Sequence, residues 1–431
     1  MTPGSRLPPS RSLAVELGLS RSTVVTAYEQ LAAEGYVEGR RGSGSYVIPL
    51  GNVELTAPAP AAVAPPPAPP PMRPAPLQPG APDMRLFPHR LWARSVARVA
   101  RRAPEALVSL DEPFGDSKLR QAIATHIAEW RGVSAHPRQI LVTAGSGDAL
   151  EICIRSLAAR GQGIALEDPG YPPLRHFVTS LGLRPQWLAM GPAGAELPRS
   201  KGKPPRLAVL TPSHHFPLGG AMAPSRRQDF LLWAEANAAW IVEDDYDSEF
   251  RYAGQPIPAL ASGEPTDRLL YIGTFSKIFS SALRLGYLVV PEALIARFSE
   301  TLNRYGTRAS SAPQRALAEF MAAGDFYRHL RRVRRVYAER RRFLLEALRE
   351  TLPDLPPPRD HQAGMQLVLD LPPDSDDLAL SRRLAAAGVQ APALSTYSAR
   401  PGGPKGLLLG FCAFEREEIA AAVETLAGVL G

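Results

Sequence analysis

Apolar and polar positions alternate along this chain in three distinct regimes. Between residues 10 and 35 apolar side chains recur at helical spacing: Leu13, Ala14 and Leu17 share one face, and Val24, Ala27, Tyr28 and Leu31 share another. Ser10 and Ser20 stand where N-caps belong, while Gly18 and Gly35 stand where helices stop. The pattern predicts helix, turn, helix, with Arg21, Ser22, Thr23, Val25 and Thr26 around the exposed start of the second helix. Residues 36–47 follow as a hairpin, carrying Arg40 and Arg41 before a Gly-Ser-Gly-Ser turn.

The second regime has no periodicity. Twelve of the 26 residues between Ala57 and Pro82 are proline, which predicts a polyproline II spacer rather than helix or sheet. Fully extended, it would reach roughly 80 Å at about 3.1 Å per residue.

From Leu86 onward, short continuous apolar runs alternate with helical patterns. Residues 139–143, 163–167, 206–210, 240–243, 269–273 and 285–290 read as buried strands, and helices such as 147–160 and 225–238 lie between several of them. This is the pattern of an α/β domain with a mostly parallel sheet. An arginine-rich helix over residues 325–349 leads into a smaller α+β unit, and its charges read as a solvated or interface face rather than a nucleic-acid site. The expected boundaries are 1–48 for the helix-turn-helix head, 49–84 for the linker, 85–324 for the large α/β domain and 325–431 for the small C-terminal subdomain.

Composition narrows the class without choosing it. A chain of 431 residues, 45% hydrophobic and 21% charged, has room for two or three domains and an ordinary core. A formal charge of +7 permits a polyanionic partner but does not demand one. Cys153 and Cys412 lie far apart in apolar settings, which argues against a disulfide framework or a cysteine metal cluster. No segment has the length of a membrane span and Met1 does not open a leader, so the expectation is a soluble, cytoplasmic protein without membrane contact. Only five of the 49 basic residues are lysine: Lys118, Lys201, Lys203, Lys277 and Lys405. A lysine retained among apolar residues then points to chemistry that arginine cannot do, since only an amine loses its proton and forms an imine.

Lys277 is such a lysine. In the run TFSKIFSSALRLG, Thr274, Ser276 and Arg284 accompany it, two hydroxyls and a guanidinium suited to phosphate around an amine suited to an aldehyde. Upstream, WIVEDDYDSEF places Asp244 and Tyr246 just after a buried strand, at the carboxyl edge where α/β ligands sit. TAGSGDAL joins a strand to a helix through Gly145 and Ser146, leaving backbone amides at a helix N-terminus. Tyr171, in EDPGYPP, offers an aromatic face. His214 and His215 are adjacent without an acidic partner at ligand spacing, so no metal site is expected there.

Two resemblances follow from these motifs. LPPSR, SRSTV and EGRRGSGSYV resemble the winged helix-turn-helix of GntR-type bacterial regulators. That resemblance implies binding of double-stranded operator DNA, with Arg11, Arg21, Thr23, Arg40, Arg41 and Ser43 as contacts, mainly to phosphates, and Arg21 and Thr23 best placed for bases. The family has another helix before LPPSR, whereas only MTPGSR precedes it here: either the true start lies upstream, or the head is truncated and the apolar face that helix would cover is exposed. Residues 86–431 resemble fold-type I pyridoxal 5'-phosphate enzymes of the aminotransferase class, and the fusion of both parts resembles the MocR/GabR-like regulators. By that resemblance Lys277 forms the internal aldimine, Asp244 pairs with the pyridine nitrogen, Tyr246 bonds the phenolic oxygen and Tyr171 stacks on the ring. Gly145, Ser146, Ser276 and Arg284 would hold the phosphate, and the molecule would be a homodimer.

Two departures bear on activity. Phe216 stands where aminotransferases commonly have the asparagine that meets the phenolic oxygen, a replacement shared with the regulators. Leu408 stands where they commonly have an arginine for the substrate carboxylate, with Arg175 and Arg400 as possible substitutes. Loss of that clamp predicts weak or absent transamination. The expectation is therefore a regulator that senses an amine or amino acid by exchange at Lys277. The alternative is an active aminotransferase with a vestigial DNA-binding head.

Overall fold

The computed structural model describes residues 2–40, 42–49, 73–108, 112–199, 202–254, 257–263 and 266–430. Arg41 and most of the proline-rich spacer lie outside them. The described residues fall into two compact units, divided at residue 70.

The first unit is helix, turn, helix and hairpin. Helix α1 (Ser10–Leu17) ends on Gly18 in the left-handed conformation, and α2 (Arg21–Ala33) starts on Ser20, whose hydroxyl accepts the Thr23 amide. Strands β1 (Val37–Arg40) and β2 (Gly44–Val47) pair antiparallel as the predicted hairpin. Ala14, Val24 and Val37 form its buried centre, and Tyr28 donates to the Pro8 carbonyl. Three details differ from the periodic reading. Ser10 is the first helical residue and Pro9 takes the cap position, while Ala27 is exposed and Leu17 is 56% exposed. Val15 and Leu19 are also uncovered, so α1 presents apolar side chains that nothing among the described residues buries.

The second unit opens with α3 (His89–Arg102), α4 (Glu105–Val108) and α5 (Ser117–Arg131). Strands and helices then alternate: β3 (Ile140–Thr143), α6 (Ser146–Leu157), β4 (Gly163–Asp168), α7 (Pro172–Ser180), β5 (Arg184–Gly191), β6 (Gly194–Ala195), β7 (Leu207–Leu210), α8 (Pro224–Ala236) and β8 (Trp240–Asp245). Next come β9 (Leu269–Thr274), β10 (Gly286–Val289), α9 (Ile295–Tyr305), α10 (Gln314–Ala322) and the long α11 (Asp325–Thr351). The small subdomain holds β11 (Gln366–Asp370), α12 (Asp377–Ala386), β12 (Gly406–Gly410) and α13 (Arg416–Leu430).

Eight described strands form one sheet in the order β3-β10-β9-β8-β7-β4-β5-β6. Its centre is parallel, and β10 runs antiparallel to both neighbours. All six predicted strands are present. The sheet is buried on both faces, which is why they read as continuous apolar runs. In β8, Val242 packs on the α6 and α9 side with Ile152 and Phe298, whereas Ile241 packs with Phe230 of α8. That period of two matters for the acidic residues that follow. Strand β5 escaped the pattern because RPQWLAMG carries a proline and polar residues and is only partly buried.

Two expectations are corrected here. The end of the proline-rich run is not a free spacer: Leu77 is fully buried, its carbonyl accepts from Gly410, and Pro76 accepts from Gln390. Asp83 takes Arg340 of α11 at 2.8 Å, and the Tyr337 hydroxyl accepts from the Asp83 amide. Composition registers prolines but not these anchors, which come from residues far along the chain. For the same reason the charge run of α11 is not wholly solvated, since Arg340 and Arg341 are buried.

Candidate functional site

A cavity of about 490 Å³ opens where the carboxyl ends of the sheet strands meet the small subdomain. Lys277, Asp244, Tyr246, Tyr171, Gly145, Ser146, Ser276 and Arg284 all line it. Their sequence positions span Gly145 to Arg284, and the doubly wound sheet brings them together at one strand edge.

Strand alternation sorts the acidic run after β8. Glu243 turns away and accepts the Leu260 and Ala261 amides, and Asp245 turns away to Arg131 at 2.6 Å and the Tyr271 hydroxyl at 2.7 Å. Asp244, between them, faces the cavity. Its Oδ1 is shielded from water with no hydrogen-bond partner among the described residues. Burial, reinforced by the nearby charges of Asp245 and Asp247, lifts its carboxyl to about 7. Such a group is costly unless a cationic donor meets it.

The β9 loop presents Lys277. Its Nζ donates to the Gly80 carbonyl at 2.7 Å, and burial pulls the amine below its ordinary basicity. Gly80 sits at φ +66°, a conformation that favours glycine, and a Cβ there would lie 3.1 Å from Nζ. Gly145 precedes α6 without a side-chain cap, and Ser146 and Gly147 carry the first amides of the helix to the cavity wall. Arg284 holds a left-handed conformation (φ 51°, ψ 48°) on the same wall.

An aromatic cluster closes another side. Phe216 meets Tyr171, Tyr246 and Tyr397 edge-on at 5.9, 5.7 and 5.4 Å between centroids. Tyr171 remains 46% exposed, leaving a face free. Leu408 is wholly buried with Val368 and Leu394, so position 408 contributes nothing polar. The two substitutes separate: Arg400 is drawn to Asp168 at 2.7 Å, whereas Arg175 lines the cavity and spends one donor on the Ser398 carbonyl.

Sequence reasoning missed several members. The histidine pair does have acidic partners, but they arrive through the fold. His214 Nδ1 lies 3.0 Å from both oxygens of Asp247, and His215 lies 3.8 Å from Glu167. Burial lowers His215 to about 3, which leaves its ring neutral at neutral pH, and raises Glu167 to about 7. Among the described residues no group of three or more His, Cys, Asp or Glu is placed to hold a metal ion. Pro79 and Gly80 also line the cavity, from a stretch that composition had assigned to the spacer.

In the first unit Arg11 and Arg21 are exposed, as are Thr23 and Ser43. The Thr23 hydroxyl is 2.8 Å from Ser20 Oγ and Ser43 Oγ is 2.6 Å from the Tyr46 hydroxyl, so both are partly engaged in local structure. Arg40 pairs with Glu38 and lies over the Tyr46 ring. Arg41 lies outside the described residues. Arg6, which the motifs did not single out, lies against the hairpin turn, its guanidinium beside Gly44.

Comparison with known proteins agrees with both units. The family model for bacterial regulatory proteins of the gntR family matches residues 1–47, and that for aminotransferase class I and II matches residues 92–426. The chain is 36% identical to the probable rhizopine catabolism regulatory protein MocR of Rhizobium meliloti, over 98% of this chain and 88% of that protein. It is 35% identical to the HTH-type pyridoxine biosynthesis transcriptional regulator PdxR of Corynebacterium glutamicum, over 97% of this chain and 90% of that protein. Among solved structures, LysN, the alpha-aminoadipate aminotransferase of Thermus thermophilus complexed with N-(5'-phosphopyridoxyl)-L-leucine, matches with a TM-score of 0.72 at 28% identity. That match covers 82% of this chain and 91% of LysN. Kynurenine aminotransferase of Pyrococcus horikoshii, in complex with PMP, shares the fold with a TM-score of 0.74 at 22% identity, over 82% and 90% of the two chains. No helix among the described residues is long and apolar enough to cross a membrane. The chain belongs to the MocR-type transcriptional regulators, in which a gntR-family helix-turn-helix domain precedes a pyridoxal phosphate-dependent aminotransferase class I and II fold.

Proposed function

We propose that this regulator reads a small amine or amino acid at Lys277 and converts its binding into altered operator affinity. The observation that carries the reading is the pairing, in one cavity, of a lysine amine of lowered basicity with a carboxylate, Asp244, whose shielded Oδ1 has no hydrogen-bond partner among the described residues. Those residues fit pyridoxal phosphate. When bound, the cofactor supplies an aldehyde carbon that condenses reversibly with primary amines.

The chain's own groups then have distinct tasks. Asp244 accepts the hydrogen bond of the protonated ring nitrogen, which gives its unsatisfied oxygen a donor. Tyr246 donates to the phenolic oxygen, and Tyr171 covers the ring. Gly145 and Ser146 at the start of α6, with Ser276 and Arg284, hold the phosphate. Arg175 is the cavity cation left over, and it favours amines that also carry a carboxylate. Arg11, Arg21, Thr23, Arg40, Arg41 and Ser43 contact DNA, and the protein acts as a homodimer.

The deciding experiment is a gel shift on the gene's own upstream DNA, with and without pyridoxal phosphate and a panel of amines. In the wild type, cofactor and an effective amine change the affinity, and Lys277→Ala abolishes the change without preventing DNA binding. DNA binding indifferent to cofactor, amine and Lys277 would refute the reading. Turnover of an amino acid and a keto acid at ordinary enzyme rates would instead favour the aminotransferase alternative.

A further inference from the structure

We propose that His214, braced by Asp247, is a positioning residue that aims the hydroxyl proton of Tyr246 into the cavity. The proposal rests on the reading of Tyr246 as the donor to the cofactor's phenolic oxygen.

Three oxygens surround one nitrogen. Nδ1 of His214 lies 3.0 Å from Oδ1 and from Oδ2 of Asp247, and 3.1 Å from the hydroxyl oxygen of Tyr246. A carboxylate only accepts, so Nδ1 carries a hydrogen. This holds for the neutral ring and for the imidazolium alike. Burial opposes the charged ring, but the charge of Asp247 and its hydrogen bond prevail and raise His214 above its ordinary value. Asp245 adds to the rise, and Arg251 opposes it.

A ring nitrogen that carries its hydrogen cannot take one from the phenol, so in the 3.1 Å contact with Nδ1 the Tyr246 oxygen is the acceptor. A phenol has a single proton. Burial and the charges of Asp247 and Asp244 hold that proton on Tyr246 well above the ordinary phenol range. With its oxygen accepting from His214, Tyr246 directs its own O–H elsewhere, and the side chain lines the cavity beside Lys277 and Asp244.

Two further observations single out this arrangement. The His214 ring is 6% exposed and lies where a Cβ on Gly364 would come within van der Waals conflict, at a glycine with φ +79°. The ring is thus held by packing as well as by hydrogen bonds. Phe216 occupies the place of the usual asparagine and packs edge-on against Tyr246, offering no donor. Donation to the phenolic oxygen is left to Tyr246, and its proton's direction matters correspondingly more.

A donor at that oxygen stabilises negative charge on it and lowers the affinity of the adjacent nitrogen for a proton. The test is the pH midpoint of the visible absorbance change of the full chain loaded with pyridoxal phosphate. We expect Tyr246→Phe and His214→Phe each to raise the midpoint by about half a unit or more. In the Tyr246→Phe background, His214→Phe is expected to add nothing. His214→Gln, which keeps an N–H donor near Tyr246, is expected to stay closer to the wild type and serves if His214→Phe fails to fold. An unchanged midpoint in both His214 variants, or equal shifts with and without the Tyr246 hydroxyl, would overturn the positioning role. An unchanged midpoint in Tyr246→Phe would instead remove the reading beneath it.

Discussion

Asp244 follows Val242 on the cavity side of β8, and the period of two that makes the strand also delivers a carboxylate to a place with no partner of its own. An acid whose carboxyl is raised to about 7 when folded and returns to its ordinary value when unfolded weakens the fold as pH rises between those values. The loss begins near pH 4 and is complete above about 7. Asp244→Asn is therefore expected to stabilise the cofactor-free protein. The gain in unfolding free energy should grow from pH 5 to pH 8, reaching more than about 1 kcal/mol because one pKa unit is worth about 1.4 kcal/mol, and a rising melting temperature should accompany it. The same variant should bind pyridoxal phosphate at least tenfold more weakly by absorbance titration, since a neutral amide cannot match a pyridinium. Opposite signs in the two measurements would mark a side chain kept for binding at a cost to the fold. Asp244, Tyr246 and Lys277 were legible in the sequence because their motifs are local. His214's role was not, because Asp247 reaches it only once β8 and the segment after β7 lie side by side.

At the scale of elements, the segment 73–84 shows how a composition reading ends too late. Asp83 is clamped by Arg340, Arg85 and the Tyr337 hydroxyl, and Leu77 fills a core position at the join with the small subdomain. The same segment carries Gly80, the partner of Lys277. Asp83→Ala would leave Arg340, whose side chain is 6% exposed, with the Cys412 carbonyl and Glu415. The expected cost is about 3 kcal/mol, the lower end for breaking a buried pair, because Glu415 still answers part of the charge. Urea unfolding followed by tryptophan fluorescence checks it, and a loss under about 1 kcal/mol would show that the clamp is dispensable. Strand β5 illustrates the complementary blind spot. Its position near the sheet's end leaves it half wet, so Pro185 and Gln186 interrupt the apolar run by which its neighbours were recognised.

At the scale of the whole molecule, two units built on different physics serve one proposed circuit. The head offers exposed arginines around a helix start and a hairpin, and the larger unit offers a polar cavity with an amine inside it. If Arg11 meets a phosphate, Arg11→Ala should lower operator affinity and reduce the slope of log affinity against log salt by about one. Arg21→Ala should also relax sequence preference, measured on operators with single substitutions. An unchanged salt slope in both variants would take the head's first arginines off the DNA. By itself the sequence determined the helix-turn-helix and hairpin, the six buried strands and the motifs around Lys277, because periodicity, caps and turn residues act within a few positions of one another. Tertiary structure alone decided that Arg175 faces the cavity while Arg400 is spent on Asp168, and that Asp83 docks on α11 from the far end of the unit. It also decided that one His214 nitrogen serves both Asp247 and Tyr246. Such contacts join segments whose separation along the chain carries no trace of their distance in space, and only packing of the sheet, its helices and the small subdomain sets them.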